Sequence, residues 1–223
     1  MSSSFDFIDN PGWVVDEPVA HADLADATRG LIAGIRRANA PENILKRAAA
    51  LAAEAADLLI PYRENGMPMQ GARSPGNTGP QGLSGTNPSE FFPYSPVVGP
   101  LNAISPPARF DFDGERIHGT VNLGATYNGP PGMVHGGIIA LIFDELLGAT
   151  NVCHGLGGFT GTLSVRYEKP TFIDTELTLE GWIEKVDGRK VFTLGTISID
   201  GVVTARAEGI FIQTTAMQRR SND

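Results

Sequence analysis

Tyr127-Asn128-Gly129-Pro130-Pro131-Gly132-Met133-Val134-His135-Gly136-Gly137 runs straight into Ile138-Ile139-Ala140-Leu141-Ile142-Phe143-Asp144-Glu145-Leu146-Leu147-Gly148. The two prolines and the glycines of the first part force an irregular loop. From about His135 to Gly148 the chain reads as a helix, apolar almost all round through Ile138, Ile139, Leu141, Ile142, Phe143, Leu146 and Leu147. A helix of that kind must be enclosed by other elements.

The flanking segments supply the enclosure. Upstream, Arg116–Leu123 alternates, with Ile117, Gly119, Val121 and Leu123 on one face. A further strand begins near Arg109. Downstream, strand-like runs cover 159–169, 175–186, 190–200 and 202–213, and Asp187-Gly188 and Asp200-Gly201 are hairpin signals between the last three. The order is strand, strand, helix, four strands. An antiparallel sheet curved around one apolar helix is the α+β hotdog arrangement.

Ahead of this unit the pattern is helical. A first helix is expected after Asp16-Glu17-Pro18, with Leu24, Leu31, Ile32 and Ile35 on one side. A second opens near Asn39-Ala40-Pro41, carries the stripe Ile44, Ala48, Leu51, Ala55 and Leu58, and ends at Pro61. The stripe suits packing in a helical hairpin or against a dimer mate. Residues 66–107 then hold 16 of the chain's 43 glycines and prolines, so Gly66–Pro88 reads as an exposed loop. Phe91-Phe92-Pro93-Tyr94 needs a surface to cover it and is expected to lie along the main domain or a partner subunit. The division expected is a helical extension at 1–65, a Gly/Pro-rich loop at 66–90, the hotdog domain at 91–215 and a polar tail at 216–223.

Composition sets further bounds on a chain of 223 residues with net charge −8. The acidic balance argues against a nucleic-acid-binding protein. The single cysteine, Cys153, excludes an internal disulfide and a multi-cysteine zinc site. The four histidines show no metal-ligand spacing. The first residues lack the basic region and apolar run of a signal peptide, and nowhere are there eighteen consecutive apolar residues. A cytoplasmic protein without a membrane span is the expectation.

Two features point to chemistry. Gly136 and Gly137 open the helix, where backbone N–H groups lack intrahelical acceptors and the dipole favours negative charge, as an oxyanion hole requires. Such a pair also serves tight packing, and the sequence leaves both readings open. Asp144 is a carboxylate within an apolar helix, costly unless paired or used. Gly137 and Asp144 share a helix face but lie about 10 Å apart along the axis. One carbonyl cannot reach both on a single helix, so a shared site needs two antiparallel helices and hence a dimer. His135 falls about 180° around the helix from Asp144; capping the helix start suits it better than proton transfer. Cys153 and His154 are chain neighbours, a poor geometry for a nucleophile and its base.

His135-Gly136-Gly137, with Asp144 and Gly148, followed by Thr160-Gly161-Thr162-Leu163-Ser164-Val165-Arg166-Tyr167-Glu168-Lys169-Pro170, resembles the hotdog-fold acyl-CoA thioesterases. The resemblance is to the branch of the phenylacetate-pathway thioesterase and the THEM-type enzymes, and it covers about residues 91–213. It implies Asp144 as the catalytic carboxylate, acting as general base or nucleophile. It also implies Gly136, with Gly137, as oxyanion amides from the opposite subunit, and Thr160 as the residue that orients water or carboxylate. Asn128 corresponds to an asparagine ahead of the motif, on a loop one residue longer than in the smallest relatives.

The activity so implied is hydrolysis of an acyl-CoA thioester by a homodimer or a dimer of dimers, with CoA as part of the substrate and no retained cofactor. Arg166 and Lys169, among the basic residues that also include Lys185, Arg189 and Lys190, are candidates to hold CoA phosphates. Two other classes compete: a hotdog hydratase or dehydratase acting on acyl thioesters, and a non-catalytic acyl-CoA-binding protein. The first needs a histidine and an acid converging on a C–H bond, which the placement of His135 and Asp144 disfavours. The second leaves Asp144 without a purpose.

Overall fold

The computed structural model describes residues 18–63, 70 and 87–213. Two helices come first, α1 (Pro18–Arg37) and α2 (Glu42–Leu59), followed by a short helix α3 (Pro88–Phe91). Strands β1 (Arg109–Phe112) and β2 (Arg116–Asn122) lead to the central helix α4 (Gly136–Cys153). Strands β3 (Phe159–Tyr167), β4 (Glu176–Asp187), β5 (Lys190–Ile199) and β6 (Val202–Ile212) complete a six-stranded antiparallel sheet. Its order is β1-β2-β4-β5-β6-β3, so β1 and β3 form the edges. This is the hotdog arrangement expected from the sequence.

Alternation accounts for the sheet's inner face. Ile117, Val121 and Leu123, with Gly119 between them, point inward, and Leu177, Leu179, Val191, Ile197 and Ala207 continue that face. Against it α4 buries Ile139, Ile142, Phe143, Leu146 and Leu147. Close approach of the helix depends on glycine. A Cβ on Gly181 would sit 2.6 Å from Thr150 Oγ1, and one on Gly195 would sit 2.9 Å from a Leu147 methyl. The two glycines face each other across β4 and β5, forming a trough into which Leu146 and Leu147 settle. Both Asp-Gly pairs make hairpin turns, with Gly188, Asp200 and Gly201 at positive φ.

Two expectations about packing need correction. The central helix is not enclosed on every side: Gly137, Leu141 and Asp144 are exposed, because the sheet curves around only one face. Although α4 is 18 residues long and apolar enough in composition to cross a bilayer, half of it is buried against the sheet, as in a core helix. The second helix has no buried residue, and Ile44, Leu51 and Leu58 of its stripe are all more than half exposed. Its amphipathic pattern was legible, but the pattern does not say which surface covers it. The first helix, by contrast, docks on the sheet domain, where Arg36 Nη2 donates to Asn128 Oδ1 at 2.7 Å and Arg37 pairs with Asp174 at 2.7 Å.

The segment after α3 lies along the main domain. Ser95, Val97 and Val98 are buried, with Phe92 packed at the edge of the core. The Ser95 hydroxyl accepts from the amides of Val97 and Val98 at 3.0 and 3.1 Å, holding the turn that inserts them. Apart from Gln70, Asn87 and Pro88, the expected Gly66–Pro88 loop lies outside the described residues, as does the 216–223 tail.

Candidate active site

The loop before α4 is closed by its own backbone. Gly129 N–H donates to the Met133 carbonyl at 2.8 Å and His135 N–H to that of Tyr127 at 2.9 Å. Gly132 takes φ +73°, a conformation that favours glycine. His135 then occupies the N-cap, in extended conformation, and its Nδ1 accepts from the Gly137 amide at 2.9 Å. An accepting Nδ1 places the ring proton of the neutral imidazole on Nε2. His135 thus stands in for the Ser or Asp usual at this position. With the Gly137 amide engaged, Gly136 at the first helical position is the amide left for an incoming oxygen.

Tyr167, at the far end of β3, donates its hydroxyl to the Gly136 carbonyl at 2.9 Å. At the other end of the same strand, Thr160 Oγ1 donates to Asp144 Oδ1 at 2.8 Å. Edge strand β3 therefore grips α4 at two points, the helix start and the carboxylate. Between Thr160 and Thr162 the register with β6 shifts, an irregularity of the kind that re-aims a side chain. A hydroxyl donating to a carboxylate fixes the orientation of the acid and leaves its second oxygen available. The role of Tyr167 could not be read from its position in the sequence; only the fold brings it to Gly136.

The remaining candidates divide. Asn128 is not brought to Asp144 within the chain: its Oδ1 accepts from Arg36 and its Nδ2 donates to the Gly129 carbonyl at 3.0 Å. Arg166 and Lys169 are exposed at the end of β3 that meets the start of α4. Glu145 turns to another face, where its carboxylate accepts from Gln70 Nε2 at 2.8 and 2.9 Å. Burial raises the pKa of Glu145, opposed by its hydrogen bonds with Ser95 and Gln70. Cys153 is fully buried, and burial pushes its thiol up to about 11. His154 Nδ1 lies 2.8 Å from the Thr150 carbonyl, so this neighbouring pair makes no nucleophile and base. Among the described residues no three His, Cys, Asp or Glu side chains converge as metal ligands.

Comparison with known proteins bears on the same region. The family model described as "Thioesterase superfamily" matches residues 131–205. Along nearly its whole length the chain matches the crystal structure of a thioesterase superfamily protein, at 32% identity and a TM-score of 0.75, covering 92% of this chain and 94% of that one. The chain belongs to the thioesterase superfamily. Within that superfamily it is 36% identical over 92 residues to the acyl-coenzyme A thioesterase THEM4 of Xenopus laevis, covering 40% of this chain and 41% of the relative. The mouse THEM4 is 35% identical over 92 residues, 40% of each chain. The match thus spans about two-fifths of the length of these curated relatives.

Proposed function

We propose that the protein hydrolyses acyl-CoA thioesters at sites shared between the two subunits of a homodimer. The observation that carries this reading is the Thr160–Asp144 hydrogen bond at 2.8 Å, on the exposed side of α4 and well removed from the helix-start amide of Gly136. Membership of the thioesterase superfamily and the likeness to THEM4 support the substrate class.

In this reading the thioester carbonyl oxygen accepts from the Gly136 amide of one subunit, where the helix dipole favours developing negative charge. Asp144 of the other subunit takes a proton from water as the oxygen attacks the carbonyl carbon. Thr160 holds the carboxylate in place. The tetrahedral intermediate collapses with cleavage of the carbon–sulfur bond, and the departing thiolate takes up the proton. Free CoA and a carboxylic acid result. Arg166 and Lys169 lie at the helix-start end of the site, where the charged part of CoA would be held. The chemistry is assigned to the unit 91–215.

Dimerisation is supported by what the single chain leaves uncovered. Tyr167 of β3 is 54% exposed although its hydroxyl reaches the Gly136 carbonyl, and Phe159 on the same strand is 43% exposed. β3 is an edge strand of the sheet, of the kind proteins usually cover. The apolar stripe of α2 is a second surface available to a partner. The test is release of free thiol from acyl-CoA by the purified protein. Hydration of an enoyl thioester without thiol release would replace the hydrolase reading with that of a hydratase.

A further inference from the structure

A cavity of about 730 Å³ lies between α1 and the body of the sheet domain. Its apolar wall includes Ile32 of α1, Ile104 and Tyr127 of the connecting loops, and Ile138, Leu141 and Ile142 of α4. The charged groups and the tyrosine hydroxyl at its margin are already engaged. Arg37 pairs with Asp174, Arg29 Nη1 donates to the Asn102 carbonyl at 2.8 Å, and the Tyr127 hydroxyl donates to the Ile104 carbonyl at 3.0 Å. What remains facing the cavity is predominantly hydrocarbon, so an occupant must itself be hydrocarbon to avoid unpaired polar groups.

Position links the cavity to the chemistry. Ile138 follows the helix-start glycines directly. A carbonyl held at the Gly136 amide would have the cavity beside it, with Ile138, Leu141 and Ile142 as a continuous apolar track. The volume falls in the upper part of the roughly 300–1,000 Å³ range of ligand pockets, more space than a short acyl group fills. Arg36–Asn128 and Arg37–Asp174 clamp α1 over this space.

We propose that this cavity is the acyl-binding site, that it takes an aliphatic chain of medium to long length, and that α1, through Ile32, sets the length accepted. The proposal rests on the thioesterase reading for its role in turnover, but not for binding. Asn128 becomes a tether for α1 as well as part of the loop before the helix, which gives the N-terminal extension a function in specificity.

The test titrates the full-length protein calorimetrically with butanoate, octanoate and dodecanoate, alongside thiol-release kinetics with the corresponding acyl-CoAs. Affinity is expected to rise by about fourfold per methylene until the cavity is filled, the factor for burying one CH₂. Ile32→Trp should reduce dodecanoate affinity at least tenfold and shift the preferred acyl-CoA to a shorter chain. Ala33→Phe, also on the cavity wall, repeats the test if Ile32→Trp does not fold. Ala27→Trp, on the exposed side of α1, should give the wild-type chain-length series. Length-dependent binding without thiol release would keep the site and overturn the hydrolase reading. Thiol release whose chain-length profile ignores both cavity variants would overturn the acyl site and keep the hydrolase.

Discussion

Replacing Asp144 by Asn, alone and together with Thr160→Val, separates a catalytic carboxylate from a structural one. Asparagine keeps the size of the side chain and an oxygen able to accept from Thr160, but removes the base. Because Asp144 is exposed on α4, stability should change by no more than about 0.5 kcal/mol. Turnover should fall at least 100-fold, within the range for loss of a general base, while KM changes little because the amide and cavity remain. Thr160→Val removes one hydrogen bond to a charged group, worth about 1.5–3 kcal/mol. Solvent exposure of both partners argues for the lower end, about a tenfold loss. If Thr160 acts through Asp144, adding Thr160→Val to Asp144→Asn should cost almost nothing more. A thiol-reactive dye can follow CoA release without background from the protein, since Cys153 is fully buried and its thiol pKa is about 11. Full additivity of the two substitutions would refute the positioning role of Thr160. Near-normal turnover in Asp144→Asn would refute the role of the carboxylate.

Three further outcomes are expected. His135→Asn should keep the cap and most of the turnover, whereas His135→Ala should cost about 1 kcal/mol in thermal or urea unfolding; a 100-fold loss in a folded Asn variant would make His135 a proton carrier. Gly181→Ala should destabilise by about 1–3 kcal/mol, the usual cost of overpacking, because its Cβ would meet Thr150 Oγ1 at 2.6 Å; an unchanged melting temperature would contradict the close seating of α4. Burial raises the Glu145 pKa, so the native state holds this proton more tightly than the unfolded chain and stability falls as pH rises from the ordinary carboxylate range through the raised value. Glu145→Gln should therefore gain stability relative to the wild type across that window, and melting curves that stay parallel with pH would contradict it.

Much of the fold was legible because it depends on local pattern. The inward series Ile117, Gly119, Val121 and Leu123, the apolar run from Ile138 to Leu147 and the two Asp-Gly turns each specify an element without reference to the others. Pairing the strands then leaves few ways to bury α4. The Asp144–Thr160 contact was reached through resemblance, since a strand threonine has no distinguishing mark of its own. Other parts of the site were not legible because they depend on distant segments meeting. Nothing near Tyr167 says that its hydroxyl reaches the Gly136 carbonyl. Nothing in the helical period of α1 says that Arg36 and Arg37 fasten it to Asn128 and Asp174. For α2 the period misled about the single chain, since an amphipathic stripe requires a covering surface but does not choose one. His135 was placed at the helix start by its neighbours, and the choice of capping over proton transfer rested on its angle to Asp144.

The central claim is that one subunit supplies the amide and the other the carboxylate, and subunit complementation tests it directly. Gly136→Pro removes the amide hydrogen with limited disturbance, because proline suits the first position of a helix and His135 already has the extended conformation that a residue before proline adopts. The nearest atom to a Cβ there is the Tyr167 hydroxyl at 3.3 Å, the end of a side chain that can yield. Gly136→Pro and Asp144→Asn should each be nearly inactive alone. After subunit exchange about half the dimers are mixed, each with one of two sites intact, so about a quarter of wild-type activity should return. Mixed dimers that demonstrably form and remain inactive would contradict a site shared between subunits.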